Sequence, residues 1–151
     1  MLFAQNHRGK NAIYSWISHC YSWICSVLWG MSNELKTRTK NFVLSVIQLV
    51  RKLPFSELNY IFARQILRSA TSTGANYRSA LRGKSTADFI AKLSIAEEEA
   101  DETCYWLELL MESNICNNQE AEDVLVEARQ IAAILTTSCK TAKSKITSNT
   151  R

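Results

Sequence analysis

From about residue 33 onward, apolar side chains return every three or four positions, the period of a helix that buries one face. Four such blocks follow one another. The first, predicted over 33–52, carries Leu35, Phe42, Val43, Val46, Ile47, Val50 and Leu53 on its stripe. Ser32 or Asn33 suits its N-cap. Pro54 stops it, because proline lacks an amide donor and disfavours a helical residue before it. The second block, predicted over 56–82, places Phe62, Ile66, Ala70, Thr73, Tyr77, Ala80 and Leu81 on one side at 100° per residue. Its middle, SATSTGA, is small and polar. Gly74 there costs about 1 kcal/mol relative to alanine. Either close approach of a neighbouring helix or a break in this one would account for it. Gly83 suits the left-handed residue that ends a helix.

The third block begins at Ser85, with Asp88 three residues on as an acidic capping partner. Phe89, Leu93, Ala96, Ala100, Cys104, Leu107 and Met111 form its core stripe, and Glu97, Asp101, Glu108 and Glu112 line one flank. Away from that stripe lie Ile95, Glu98, Glu102, Trp106 and Leu109. A second apolar face on one helix predicts a contact between subunits. After a turn at 114–118, Asn117 and Glu120 mark another helix start. The fourth helix, predicted over 119–145, buries Ala121, Val124, Leu125, Ala128, Ile131, Ala132, Leu135, Cys139 and Ala142. Lys140, Lys143 and Lys145 complement the dipole at its end, and 147–151 should fray. Four amphipathic helices with short connections predict an all-α, antiparallel up-down four-helix bundle over 31–146. One proline and four glycines in 151 residues agree with long helices.

Residues 1–30 have a different character. Arg8 and Lys10 precede an uncharged run, 11–30, that holds Trp16, Trp23 and Trp29. Three readings stay open: translation upstream of a start at Met31, a membrane or interfacial anchor, or an extra packed helix.

Charge narrows the partners. The chain has 18 basic and 14 acidic residues, net +4, and residues 31–151 carry only +2. Nucleic-acid binding must then come from clustering. Such a cluster exists: Arg64, Arg68, Arg78 and Arg82 fall within about 80° of one another on the second helix, opposite its apolar side. With Lys84 they match the needs of a phosphate backbone. Asn76 and Tyr77 are weaker candidates, since Tyr77 lies on the apolar side. The competing reading pairs these arginines with the Glu97, Asp101, Glu108 and Glu112 flank, within one subunit or across two.

Catalytic chemistry finds no footing. The run EEEADE suggests a carboxylate metal site, but residues 31–151 contain no histidine and the acids share one helix. Cys104 has no histidine partner in that stretch. RGKST at 82–86 lacks the upstream glycine of a phosphate loop. The five cysteines form no CxxC pair and no regular framework, and are expected to be reduced core fillers. No catalytic residue, metal, cofactor or small-molecule substrate is expected.

The segment RQILRSATSTGANYRSALRGKSTADFIAKLSIAEEEADETCYWLELL, with MSNELKTRTKNFVLSVIQLV before it and TAKSK after it, resembles the bacterial four helix bundle protein family. That family was first noted as proteins encoded by intervening sequences in large-subunit ribosomal RNA genes. The resemblance begins near Met31. It implies an up-down bundle and, in the wider superfamily, a homopentamer with a basic surface. That superfamily is similar to the accessory variability protein of diversity-generating retroelements, which binds a reverse transcriptase and nucleic acid. The expectation is a cytoplasmic, non-enzymatic, self-associating bundle that accompanies RNA or a ribonucleoprotein. Its rival is a purely structural scaffold whose arginines form salt bridges between subunits.

Overall fold

The structure, a computed structural model, describes residues 33–149, with side chains to 144. The contact pattern divides the chain after Leu35, and all packing below belongs to the unit Lys36–Arg151. The predicted segment 1–30, and with it the question of start, anchor or extra helix, lies outside the described residues. Among those that are described there are four helices and no strand: α1 (33–51), α2 (Glu57–Ala80), α3 (Thr86–Glu112) and α4 (Gln119–Asn149). None is long and apolar enough to cross a membrane.

Local chemistry sets these boundaries. Ahead of Pro54, α1 tightens into i→i+3 bonds, with Lys52 N–H on Leu49 O (3.1 Å) and Leu53 N–H on Val50 O (3.2 Å). The side chains of Ser56 and Ser85 accept from the amides of Asn59 and Asp88, capping α2 and α3. The Asp88 carboxylate accepts from the Lys84 amide, completing the expected box one residue upstream of the cap. Asn118, rather than Asn117, caps α4, its side chain accepting from Ala121 N–H at 2.9 Å. α4 continues through 147–149, where fraying was expected, and ends at Asn149.

Pairings between helices define the topology. Phe62 meets Trp106, Ser69 meets Thr103, and Arg68 meets Glu99, so α2 and α3 are antiparallel. Glu108 with Arg129 makes α3 and α4 antiparallel to each other, since Glu97 lies beside Cys139. Arg38–Glu127 and Lys52–Glu120 do the same for α1 and α4. α1 also flanks α2, with Thr39 and Val43 beside Gly74. The helices therefore surround one core in chain order. Val46, Leu49, Ile66, Leu93, Leu107, Leu110, Ile131 and Leu135 fill it and are essentially inaccessible, each contributing about 1.5–3 kcal/mol by leaving water.

One glycine departs from expectation, and the other decides between two readings. Gly83 is not left-handed: no glycine among the described residues has positive φ. It is required by proximity, since a Cβ there would sit 2.9 Å from Phe89 N and 3.0 Å from Ala80 O. The left-handed position is Asn114 instead (φ 57°), closing α3 with its amide on Met111 O. α2 runs unbroken through Gly74, so the break is excluded. The small stretch lets two neighbours approach. Val43 and Thr39 of α1 face Gly74. On the other side, Thr103 of α3 donates to the Ser69 hydroxyl at 2.9 Å.

Candidate nucleic-acid interface

The core stripe of α2 faces inward, so the residues opposite it face solvent. Arg64, Arg68 and Arg78 lie along this outer side. Arg82 and Lys84 lie just beyond the helix, which ends at Ala80 with Leu81 as C-cap; helix two is two residues shorter than the pattern predicts. Arg64, Arg78, Arg82 and Lys84 are exposed, and none has a carboxylate within ion-pair distance among the described residues. By contrast Arg38, Arg68 and Arg129 are all paired. Of the four unpaired arginines between 36 and 144, three thus lie on or immediately after α2, the fourth being Arg51.

Arg68 has a separate role. Its guanidinium reaches Glu99 at 3.2 Å and also Glu102. The Trp106 indole N–H donates to the same Glu102 carboxylate at 2.9 Å. Trp106 in turn stands edge-on to Phe62 of α2, with centroids 6.0 Å apart. The Arg68 hydrogen bond, and then that of Trp106, hold the Glu102 carboxyl below its usual range. This cluster joins α2 to α3. One cation against two carboxylates leaves a local excess of negative charge, a poor seat for phosphate. Arginine–carboxylate pairing therefore occurs on the stripe, but at one arginine only, and with partners other than those the spacing suggested.

The reason lies in rotation around α3. Glu99, Glu102 and Trp106 point towards α2, whereas Glu97, Asp101 and Glu108 are centred about 150° away around the axis. Glu97 faces α4, where the Cys139 thiol and then the Thr136 hydroxyl donate to it, with Lys143 and Lys140 nearby; these hold its carboxyl low. Glu108 takes Arg129 of α4 at 2.9 Å. Asp101 and Glu112 are exposed.

Of the five residues expected at a subunit contact, Glu102 and Trp106 are turned into the α2–α3 seam. Leu109 is half-buried, while Ile95 and Glu98 remain exposed. The larger apolar exposure was not anticipated. Phe55, Leu58, Tyr60 and Ile61 open to solvent at the start of α2, and Tyr105 does so on α3. The signal was present in FSELNYI, whose apolar residues outnumber those one helix stripe can bury. Tyr77 is core, as its side of the helix requires, and burial pushes its phenol pKa up. Asn76 turns back on its own helix, donating to the Ser72 carbonyl and hydroxyl.

Elsewhere the chemistry is quiet. No group of histidine, cysteine or acidic residues suited to a metal occurs among the described residues. Burial first, then Asp101 and Glu108, pushes the Cys104 thiol to about 11; burial and the bond to Glu97 do the same for Cys139. Such thiols are poor nucleophiles. On the α1–α4 side, opposite the α2–α3 side, an open groove of about 290 Å³ is lined by Ser45, Gln48, Glu120, Asp123, Val124 and Glu127. Of the groove's three carboxylates, Glu120 and Glu127 are paired with Lys52 and Arg38, which leaves Asp123 without an ion pair among the described residues.

The chain is similar to known proteins in two comparisons. A solved structure from Bacteroides thetaiotaomicron, described as a protein of unknown function from the S23 ribosomal protein family, superimposes with a TM-score of 0.66 at 37% identity, covering 72% of this chain and 97% of that one. Among curated proteins, none matches. The profile of the 23S rRNA-intervening sequence protein family matches residues 31–137, the stretch that builds the bundle. The chain belongs to the 23S rRNA-intervening sequence protein family.

Proposed function

We propose that this protein is a non-enzymatic, self-associating helical bundle of the cytoplasm that accompanies RNA or a ribonucleoprotein. It holds phosphates through Arg64, Arg78, Arg82 and Lys84. The observation that carries this reading is the set of exposed, unpaired cations along one side of α2. The description of the family, which ties it to ribosomal RNA, supports it. Guanidinium groups left without internal carboxylates remain available to phosphate oxygens, and each contact releases a counterion. A homopentamer and a reverse-transcriptase partner remain expectations drawn from the wider superfamily.

Filter binding of the full chain to RNA tests this. Arg64→Ala with Arg78→Ala should weaken binding at least tenfold. Lys140→Ala with Lys143→Ala, which removes equal charge from the diagonal helix α4, should change it less than threefold. Equal effects of the two pairs would reduce the interaction to bulk charge.

A second reading has its own observation. The unpaired cations of α2 and the Asp123 carboxylate, in the groove between α1 and α4, lie on opposite sides of the bundle. Head-to-tail contacts between such faces generate rings or filaments. On this reading the arginines meet Asp123 of a neighbour, and the protein is a scaffold. Asp123→Asn would then lower the oligomer mass and RNA would leave it unchanged.

A further inference from the structure

We infer that the RNA held on the outer side of α2 is unpaired, and that Tyr60 stacks on one of its bases. The inference rests on the phosphate reading above and specifies its ligand. Reading outward from the N-terminus of α2, one stripe carries Tyr60, Arg64, Arg68, Thr71, Ala75 and Arg78, all within about 80° around the axis. Tyr60 is 64% exposed, although a tyrosine ring gains by burial. It lies one turn, about 6 Å, before Arg64. On α3, Tyr105 is 54% exposed and stands edge-on to Trp106, centroids 5.4 Å apart, beside the Phe62 contact. The open ring of Tyr60 thus stands at the end of the same stripe that carries Arg64 and Arg78.

The ring positions decide between RNA classes. A duplex offers phosphates and hydroxyls, but its bases are stacked on one another and show no π-face to a side chain. A single strand offers both, so a surface that sets an exposed ring beside cations gains from unstacked bases alone. The cation spacing agrees. Arg64 and Arg78 are about 21 Å apart along the helix, with small Thr71 and Ala75 between them. A flexible strand can bridge that interval, passing Arg68 without a phosphate contact there. Arg68 is excluded from the track because Glu99 and Glu102 occupy it.

The test is binding of the full chain to fluorescein-labelled oligouridylate and, separately, to the same strand annealed to oligoadenylate. The single strand should bind at least tenfold more tightly than the duplex. Tyr60→Ala should weaken single-strand binding by about 5- to 100-fold, the range of one base–aromatic stack, and leave duplex binding unchanged. Tyr60→Phe should keep the affinity within about twofold. Because Tyr60 is exposed, Tyr60→Ala should melt with the parent, which circular dichroism confirms. Equal binding of both RNAs, unaffected by Tyr60→Ala, would overturn this inference and leave the phosphate reading standing. Binding to neither RNA would overturn both. A fall in oligomer mass on Tyr60→Ala at unchanged affinity would make the ring a subunit contact and overturn the inference.

Discussion

Glu102 ties two helices together through one carboxylate. It accepts from Arg68 of α2 and from Trp106 on its own helix. Its pKa is lowered in the fold, first by the Arg68 bond. A carboxyl lowered by folding stabilises the protein above its unfolded pKa, about 4.3 for glutamate. That stability disappears as pH falls through the folded value. Melting temperature between pH 3 and 6 should therefore fall less steeply in Glu102→Gln, which retains an acceptor for Trp106. An unchanged acid limb would mean the bond contributes nothing to folding. The thiols give a second outcome. Cys104 and Cys139 are buried with pKa values near 11, and Cys116 is only half-buried. Of these three cysteines, iodoacetamide at pH 8 should modify Cys116 first in native protein, and Cys104 and Cys139 only in urea, as read by peptide mass spectrometry. Cys104 was legible as core from its place on the stripe. The partners of the acids were not, because spacing gives their angle around α3 but not which neighbour stands at that angle. Glu97 and Glu102 read as lying on different faces of α3, and only the geometry shows that the first meets α4 and the second α2.

At the scale of an element, the two described glycines make opposite predictions. Gly83 has backbone on three sides, with Phe89 N, Ala80 O and Phe89 Cα all within 3.1 Å of an added Cβ. Backbone cannot yield as a side chain can, so Gly83→Ala should cost about 1–3 kcal/mol. At Gly74 the nearest atoms are Val43 Cγ2 at 3.8 Å and Thr39 Cβ at 4.0 Å, which is ordinary contact. Gly74→Ala should therefore stabilise α2 by up to about 1 kcal/mol. Urea denaturation of both variants checks the pair. The helices themselves were nearly all legible, because Pro54, Ser56 and Ser85 act within a few residues of their own position. The conformation at Gly83 was not. It depends on how closely the first turn of α3 folds back, a tertiary fact that sequence spacing does not carry. Leu49 and Leu110, both inaccessible, were missed although the spacing carries them: Leu49 follows Phe42 and Val46, and Leu110 follows Thr103 and Leu107, on one buried stripe.

Across the molecule, chain order around the core places the α2–α3 side opposite the α1–α4 side. Three of four unpaired arginines gather at the first, whereas on the second Arg38 and Lys52 are paired with Glu127 and Glu120. This separation is what a net charge of +4 over the whole chain conceals. The stripe of arginines was visible in the sequence. That Arg68 is already occupied, while its neighbours are open, required the geometry. The same placement leaves Phe55, Leu58 and Ile61 exposed beside the cations, a surface on which self-association and RNA binding would compete or cooperate. The most direct measurement of the central claim is the salt dependence of binding to single-stranded RNA, comparing the parent with the triple variant Arg64→Ala, Arg78→Ala, Arg82→Ala. Each lost phosphate contact removes about 0.7 from the slope of log affinity against log salt concentration, so the slope should shrink by about 2. An unchanged slope would show that α2 does not hold the phosphates.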